Sequence, residues 1–383
     1  MKLTKILIIG IVIIILWNSC EYHNLEVEPE DSKINLRWVK GYPNETKEDV
    51  ITGLTWGLSF LGATLPAEDI NRAVEWKNEN RFVLSLEKAG FNEDARQAWK
   101  PILDTLKKSD EYKLRGGIDV GRFVTLTLNS TNHYYAITGA EQRYSDFRVK
   151  YNFEEKKAGV VKSTIAFGNR IIEISKAQQF DEIAFVATEG EGSIEDDSFV
   201  EKEFEALNFM ANGQLRFALY DLNGNLKTSA SKSLTAAGKP AKCLWCHETS
   251  LIAPFQDDNQ LSGYYSTEEF KNIIGNRMEI VRAYRDKLAS QIFLSISNHT
   301  KAELLYLSFM EPSLERLSQE WGISLADTQQ KLSNLTTHAH HEFSYLGDKL
   351  YNRRDVDHLA PYNNIETPTD PRNSSAYEPD FIH

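Results

Sequence analysis

The spacing of apolar residues along this chain alternates between a helical period and a strand period. Between residues 46 and 112, apolar residues such as Val50 and Leu54 recur four positions apart, and this spacing favours amphipathic helices. A further helix is expected over residues 92–107, bent at Pro101 because a proline ring clashes with the preceding helical turn. Residues 46–112 are therefore predicted to form a small helical module.

A strand period follows in residues 115–236, which are predicted to form an antiparallel β region. Apolar and polar residues alternate over 123–128 and over 147–153, as they do in half-buried strands. Residues 199–211 are expected to interrupt this region as one helix. Two residue pairs are typical of hairpin turns: Gly168–Asn169 and Asn223–Gly224.

The helical period returns in residues 237–350. An apolar stripe predicts a long helix that begins after Ser266. A second helix is expected to begin at the cap Thr300 and to end before Pro312, because proline disfavours helical geometry in the residue before it. The prolines of residues 351–383 instead predict an extended tail. The predicted fold class is α+β: a helical N-terminal module, an antiparallel β region and a mainly helical C-terminal region.

The first twenty residues have the pattern of an export signal. Two lysines precede an unbroken apolar run over residues 6–17, which is short for a spanning helix of about 20 residues. Because the lone Cys20 closes this segment, it resembles the signal peptide of a lipoprotein from a bacterium of the Bacteroidetes type. The resemblance implies a signal over residues 1–19, lipid on Cys20 and a tether over residues 20–45. An uncleaved anchor and an ordinary cleaved signal are the alternatives, and each exports the chain.

Composition and charge narrow the class of partner. The 383 residues carry a formal net charge of -12, and no run of lysine or arginine interrupts this acidity. Without a basic cluster in the sequence, no nucleic acid is expected as a partner. A protein that docks by charge should present a basic face. The apolar content of 41% is enough for a substantial core.

Two of the three cysteines, Cys243 and Cys246, lie in the sequence KCLWCHE. A disulfide between them would close a very small loop and would constrain the unfolded chain little. A redox-active pair normally begins a helix in a βαβ unit, whereas the turn-like AAGKPAK precedes this pair. A zinc site would need two further ligands, and the chain has no second cysteine pair. These three interpretations stay open as alternatives.

The interpretation that accounts for every position is a covalent haem site, C-x-x-C-H. Thiols at i and i+3 lie on one face of a helical turn, where they can add to two vinyl groups, and His247 at i+4 can reach the iron as an axial ligand. The Gly-Lys-Pro sequence at 238–240 also resembles the approach to this motif in c-type cytochromes. The resemblance is to a monohaem c-type cytochrome carried on a lipoprotein. It implies one covalent haem c on Cys243 and Cys246 and a lipid-anchored place in the cell envelope, facing the periplasm or at the outer membrane.

The sixth ligand of the iron would decide between electron transfer and ligand binding. Met310 is the first candidate, because a helix is expected to end there and many c-type cytochromes place an axial methionine near a chain break. Met278 is a weaker candidate, since it lies within an apolar helical stripe that favours core packing. Met210 is a further candidate, and His338 and His341 would share one face if their segment were helical.

Three classes of function are open to such a chain. The favoured class is a membrane-anchored electron-transfer cytochrome, whose acidic surface steers a redox partner with a basic docking face. The second is a haem-containing binding or sensor lipoprotein whose β region recognises a ligand. The third is a haem enzyme. Two-haem peroxidases need two C-x-x-C-H motifs, whereas this sequence contains a single one. An electron carrier is therefore expected rather than an enzyme.

Overall fold

The computed structural model describes residues 30–64, 70–252, 261–288 and 296–383. The described residues from Asp31 onward belong to one unit by their contacts. The predicted signal peptide and Cys20 lie outside the described residues, as does the first part of the tether. Helices and two β-sheets make up the described chain, which confirms the α+β class.

A small sheet in the N-terminal part contains strands that the apolar pattern did not reveal. Its strands are β1 (Lys33–Arg37), β2 (Val74–Trp76), β3 (Arg81–Ser85) and β4 (Ile118–Asp119). Their order is β2-β3-β1-β4, with β1 and β4 parallel and the other neighbours antiparallel. The prediction of a purely helical module over residues 46–112 is therefore wrong for β2 and β3. Each is five residues long or shorter, too short for its alternation to stand out beside the helical pattern.

The remaining elements of this part are helices α1 (Lys47–Phe60), α2 (Ile70–Ala73), α3 (Glu93–Lys108) and α4 (Asp110–Arg115). Thr46 caps α1: its hydroxyl accepts a hydrogen bond from the Asp49 N–H, and the Asp49 carboxylate accepts one from the Thr46 N–H. Asn92 caps α3 through the Ala95 N–H, and Pro101 lies inside that helix. Both long helices confirm the helical period of the sequence.

Helices also fill the first part of the predicted β region, which corrects the sequence prediction. α5 (Val120–Thr127), α6 (Thr131–Thr138) and α7 (Tyr144–Lys150) replace the strands expected over 123–128 and 147–153. Every residue of α5 is buried, including the threonines that alternate with its apolar residues, and the Thr125 and Thr127 hydroxyls donate to carbonyls one turn earlier in the helix. The alternation therefore did not separate a buried face from an exposed one. In α7, Phe147 is buried but Val149 is 88% exposed. The alternation of apolar and polar residues over 147–153 therefore does not correspond to one buried face.

An antiparallel meander occupies the second part of that region. Its strands are β5 (Ala158–Val160), β6 (Arg170–Ile174), β7 (Ala184–Glu191), β8 (Val200–Phe209) and β9 (Leu215–Asp221), each antiparallel to the next. The helix expected over residues 199–211 is wrong, because β8 pairs with strands on both sides. The turn at Asn223–Gly224 is confirmed, since the Gly224 N–H donates to the Asp221 carbonyl at 2.9 Å. The connection from β5 to β6 is longer than the two-residue turn expected at Gly168–Asn169.

The C-terminal part is helical, as its period predicts. Its helices are α8 (Pro240–His247), α9 (Thr267–Arg285), α10 (Ile296–Met310), α11 (Leu314–Trp321), α12 (Leu325–Leu332) and α13 (Arg353–Val356). Ser266 caps α9 as predicted, whereas α10 begins at Ile296 rather than at Thr300. Within the described ranges, no helix is both long and apolar enough to cross a membrane.

The extended tail predicted over residues 351–383 begins later than expected, because α13 and a 3-10 turn (Asp357–Leu359) lie within it. After Leu359 the described chain continues without a further helix or strand. This tail lies along the surface of α5 and α6 and is held by side-chain hydrogen bonds. The Asn129 amide donates to the Pro371 carbonyl at 3.1 Å, and the Ser130 hydroxyl donates to the Pro379 carbonyl at 3.1 Å. The tail therefore crosses the connection between α5 and α6.

Candidate functional site

Helix α8 carries the whole C-x-x-C-H motif and ends with it. Gly238 turns the chain towards the helix with a φ of 70°, a conformation that favours glycine. Pro240 occupies the first turn, where its missing N–H costs no helical hydrogen bond. The helix ends at His247, because Glu248 adopts a φ of 51°. The sequence prediction that Cys243, Cys246 and His247 share one short helix agrees with this arrangement.

The motif borders a cavity of about 320 Å³, which we name the α8 cavity. Three residues of the motif line it: Cys243, Cys246 and His247. The second sheet supplies apolar side chains from four strands: Ile172, Phe185, Leu207 and Phe217. Helix α9 contributes Phe270 and Ile274. This size and apolar lining are typical of cofactor and small-molecule sites, which measure about 300–1,000 Å³.

The cavity face of the sheet changes from apolar to charged along its strands. Residues that lie opposite one another on neighbouring strands form rows across this face. One row is apolar: Phe185, Leu207 and Phe217. The next row is mixed: Ile172, Ala187, Glu205 and Leu219. The third row is charged: Arg170, Glu189 and Glu203.

His247 is oriented by a backbone carbonyl just after the helix. Its Nδ1 lies 3.2 Å from the Ser250 carbonyl oxygen. A carbonyl can only accept, so Nδ1 carries the proton and Nε2 has the free lone pair. The imidazole ring also lies 5.3 Å from the Phe217 ring. Burial lowers the pKa of His247, which favours the neutral imidazole that binds metals.

The two cysteines are free thiols with different surroundings. Cys243 is half-buried and Cys246 is exposed, and no disulfide joins them. Burial raises the pKa of both thiols. Among the described residues, no group of three His, Cys, Asp or Glu side chains is placed to hold a metal ion. Both thiols are therefore free sulfhydryl groups that differ in their exposure to solvent.

Arg170 and Glu205 bring charge from the sheet into the lining of the α8 cavity. Arg170 forms an ion pair with Glu189, and its guanidinium also lies 3.7 Å from a Glu205 carboxylate oxygen. Burial and the nearby Glu205 raise the pKa of Glu189 to about 8. Burial likewise raises the pKa of Glu205. Arg170 thus pairs with the buried Glu189 and lies near the partly buried Glu205.

The two methionines that the sequence suggests as axial ligands, Met310 and Met278, differ in their position relative to the α8 cavity. Met310 is the last residue of α10, as expected, and is 6% exposed, but it is not among the described residues that line the α8 cavity. Met278 lies one turn after Ile274 of the cavity wall, and its sulfur accepts a hydrogen bond from the N–H of Leu251, another wall residue, at 3.5 Å. Met278 is therefore closer to the cavity lining than the sequence ranking suggests. Both assignments stay predictions.

The other candidate ligands lie elsewhere. Met210 lines a different cavity, between α3 and α9. His338 is not helical: its N–H and carbonyl both pair with Leu350, and its Nε2 lies 2.9 Å from a Glu311 carboxylate oxygen. The side chain of His341 is 87% exposed. The expectation that His338 and His341 share one helix face is therefore wrong, because the segment forms a β-bridge.

Sequence patterns gave no sign of the contacts between the tail and α8. The buried ammonium of Lys239 donates to the Glu378 carboxylate, 139 residues away, at 2.6 Å. The Arg372 guanidinium lies 4.4 Å from the centre of the Trp245 ring and pairs with Glu342 at 3.0 Å. No local pattern links residues so far apart in the chain. The Lys-Pro sequence before the motif indicates where the helix begins, but it does not indicate that the tail contacts this helix.

Comparison with known proteins does not extend this picture. No family model matches the chain, and no curated protein or solved structure is significantly similar to it. The chemistry of α8 and of the cavity beside it is therefore the basis on which a function can be proposed.

Proposed function

We propose that this chain is an exported, lipid-anchored monohaem c-type cytochrome that transfers electrons. Cys243 and Cys246 would hold the haem through thioether bonds, and His247 would be an axial ligand of its iron. Lipid on Cys20 would hold the protein at the membrane, in the cell envelope. The net charge of -12 suits a redox partner with a basic docking face.

One observation carries the proposal: the orientation of His247 at the wall of an apolar cavity that both thiols also line. In a metal-binding histidine, the second ring nitrogen normally donates to a carbonyl or carboxylate, which fixes the tautomer and the ring. The Ser250 carbonyl has this role for Nδ1 of His247. The donor set and the cavity therefore fit a covalent haem.

A bound haem supplies an iron that gains and loses one electron. The protein residues hold it and control its surroundings. The apolar side chains of Phe185, Leu207 and Phe217 would keep water from one side of the cavity. Lys242 and Arg170, which also line the cavity, offer cationic partners for the carboxylate groups of a haem. A cytochrome-c-like character of residues 237–350 belongs to this proposal and is supported by helices α8 and α9, although the sheet completes the cavity.

A second candidate function has support from the sheet. Arg170 and Glu205 are polar groups of the β region that line the same cavity as the motif. A haem held there could present an open iron position to a small molecule, with the sheet providing recognition, as in a binding or sensor protein. The two functions differ in the coordination of the iron, which carbon monoxide binding to the reduced protein reports.

The first experiment tests attachment. The full chain is produced in cells that mature c-type cytochromes, and haem that stays with the polypeptide in denaturing electrophoresis is stained. We expect one haem per chain in the wild type. Loss of both thiols in a Cys243→Ala, Cys246→Ala variant should abolish attachment, because each thioether needs its sulfur.

Two further variants complete this experiment. His247→Ala should keep covalent haem but change the visible spectrum, since the axial imidazole is lost. His340→Ala replaces a histidine outside the cavity and should keep the wild-type spectrum. A colourless wild-type protein from such cells would refute the proposal. Carbon monoxide binding by the reduced wild type would favour the sensor function over electron transfer.

A further inference from the structure

We propose that Glu189 and Glu205, which share Arg170 at the charged end of the α8 cavity, take up one proton when the cavity receives an electron. The inference rests on the proposed function, because the electron must have a haem to enter. The electron comes from the redox partner and the proton comes from solvent. One carboxylate oxygen gains an O–H bond, so the total charge of the cavity region does not change.

The two carboxylates lie close to each other and to the motif. Glu189 on β7 is opposite Arg170 on β6, and Glu205 on β8 is opposite Ala187, two residues from Glu189 along β7. The side chain of Glu189 is 1% exposed and that of Glu205 is 17% exposed. Arg170 pairs with the first and lies 3.7 Å from the second. Glu189 is therefore buried and Glu205 is partly buried, and Glu205 lines the cavity together with Cys243.

Charged and titratable side chains from several elements face this cluster, including Cys243 and His247 of α8, which interact electrostatically with Glu205 and Arg170 respectively. Besides Arg170 on β6, the charged neighbours are Glu203 on β8, Lys227 after β9 and Lys242 on α8. Glu203 already has partners of its own, because it forms an ion pair with Lys227 and accepts hydrogen bonds from Ser231 at 2.8–3.1 Å. Arg170 is therefore the cation in contact with both Glu189 and Glu205. Two neighbouring carboxylates that share one cation and are largely removed from water favour a state in which one of them is protonated.

The direction of the coupling follows from electrostatics. An electron added beside the cluster is a further negative charge, and a negative charge raises the proton affinity of a nearby carboxylate. By linkage, a proton that binds more tightly to the reduced protein makes the reduction potential fall as the pH rises. The raised pKa of Glu189, about 8, puts this proton uptake at about pH 8 and above, because at lower pH one carboxylate already holds a proton before the electron arrives.

The test measures the midpoint potential of the purified haem protein between about pH 6 and about pH 10. We expect the potential of the wild type to fall as the pH rises above about 8, approaching the one-proton limit in which a tenfold change in proton concentration shifts a one-electron potential by about 59 mV. Glu189→Gln and Glu205→Gln should each flatten this dependence, because an amide cannot bind the proton.

Glu173→Gln is the matched control. Glu173 is a buried carboxylate on β6, adjacent in sequence to the cavity residue Ile172 and so on the opposite face of the sheet. It pairs with Arg148 at 3.0 Å and Lys157 at 3.4 Å. Its amide variant should keep the wild-type slope.

Three outcomes would overturn the inference. The first is a wild-type potential that does not change with pH. The second is an unchanged slope in both cavity variants, which would assign the proton to the haem carboxylates. The third applies to the wild type alone: infrared difference spectra between the oxidised and reduced protein that lack the carbonyl band of a protonated carboxylic acid. Because the infrared measurement uses the wild type alone, it tests the inference even if the variants do not fold. A protein without covalent haem would instead refute the proposed function.

Discussion

His299 on α10 packs against the rings of Trp56 and Phe60 on α1, with ring centres 6.5 Å and 5.6 Å away. Its side chain is buried, and burial lowers its pKa to about 4. A histidine in water has a pKa of about 6.5. The folded protein therefore holds His299 in its neutral form at pH values where the unfolded chain would protonate it.

This buried histidine predicts a loss of stability in mild acid. Between about pH 6.5 and about pH 4, the unfolded chain binds a proton on His299 and the folded chain does not, so protonation favours unfolding. From these two pKa values, we expect the contribution of His299 to fall by about 2 kcal/mol between about pH 7 and about pH 5. Urea unfolding at the two pH values measures the free energy.

Substitutions isolate the contribution of this one residue from that of the carboxylates. In His299→Phe, which keeps an aromatic ring among aromatic neighbours, the loss between the two pH values should be smaller than in the wild type by about 2 kcal/mol. His341→Phe changes an exposed histidine and should keep the wild-type dependence. Equal pH dependence in His299→Phe and the wild type would contradict the prediction.

At the scale of elements, helices α1 and α10 approach each other at Gly53. A Cβ atom on Gly53 would lie 2.4 Å from the carbonyl oxygen of Lys301, a backbone atom of α10. Gly275 in the middle of α9 differs, because a Cβ there would meet no atom within 4 Å. Both glycines lie inside helices, but only Gly53 is required by packing.

The two glycines predict opposite effects of the same substitution. Gly275→Ala should raise the free energy of unfolding by about 0.5–1 kcal/mol, because alanine loses less backbone entropy than glycine on folding. Gly53→Ala should lower it by about 1–3 kcal/mol, because the added methyl group forces the two helices apart. Denaturant unfolding of both variants checks this pair. A stabilised Gly53→Ala protein would show that α1 and α10 do not approach this closely.

At the scale of the whole molecule, the tail connects regions that are distant in the sequence. Near α6, the Glu378 carboxylate accepts a hydrogen bond from the Thr131 N–H, and it also pairs with Lys239 at the start of α8. The Lys239 N–H donates to the Arg372 carbonyl at 3.1 Å. The tail thus holds the first turn of the motif-bearing helix against the rest of the protein.

Removing the tail should loosen α8 selectively. In a chain that ends at Pro368, the amide protons of α8 should exchange with solvent at least about tenfold faster, because local opening of this helix then breaks fewer contacts. Hydrogen–deuterium exchange measures the effect, and α3 is an internal control whose protection should not change. Glu378→Gln, which leaves Lys239 buried without its countercharge, should act in the same direction. Unchanged exchange in α8 would contradict the role of the tail.

The sequence by itself determined the features that depend on neighbouring residues. The caps Thr46, Asn92 and Ser266 begin helices where the pattern predicts them. The short helix with Cys243, Cys246 and His247 was also predictable, because the motif is contained in five consecutive residues. A cap or a helical turn is formed by groups within four residues of each other, so its signal is present in the local sequence.

Only the tertiary structure decided which distant residues meet. It replaced the strands expected over 123–128 and 147–153 by helices, because the alternating residues of α5 are all buried and Val149 of α7 is exposed, so neither alternation separated a buried face from an exposed one. It placed the sheet beside the motif, brought Arg170 between two carboxylates and put Met278, rather than Met310, against the wall of the cavity. These arrangements depend on contacts between residues far apart in the chain, and the period of a single segment contains no information about its partner.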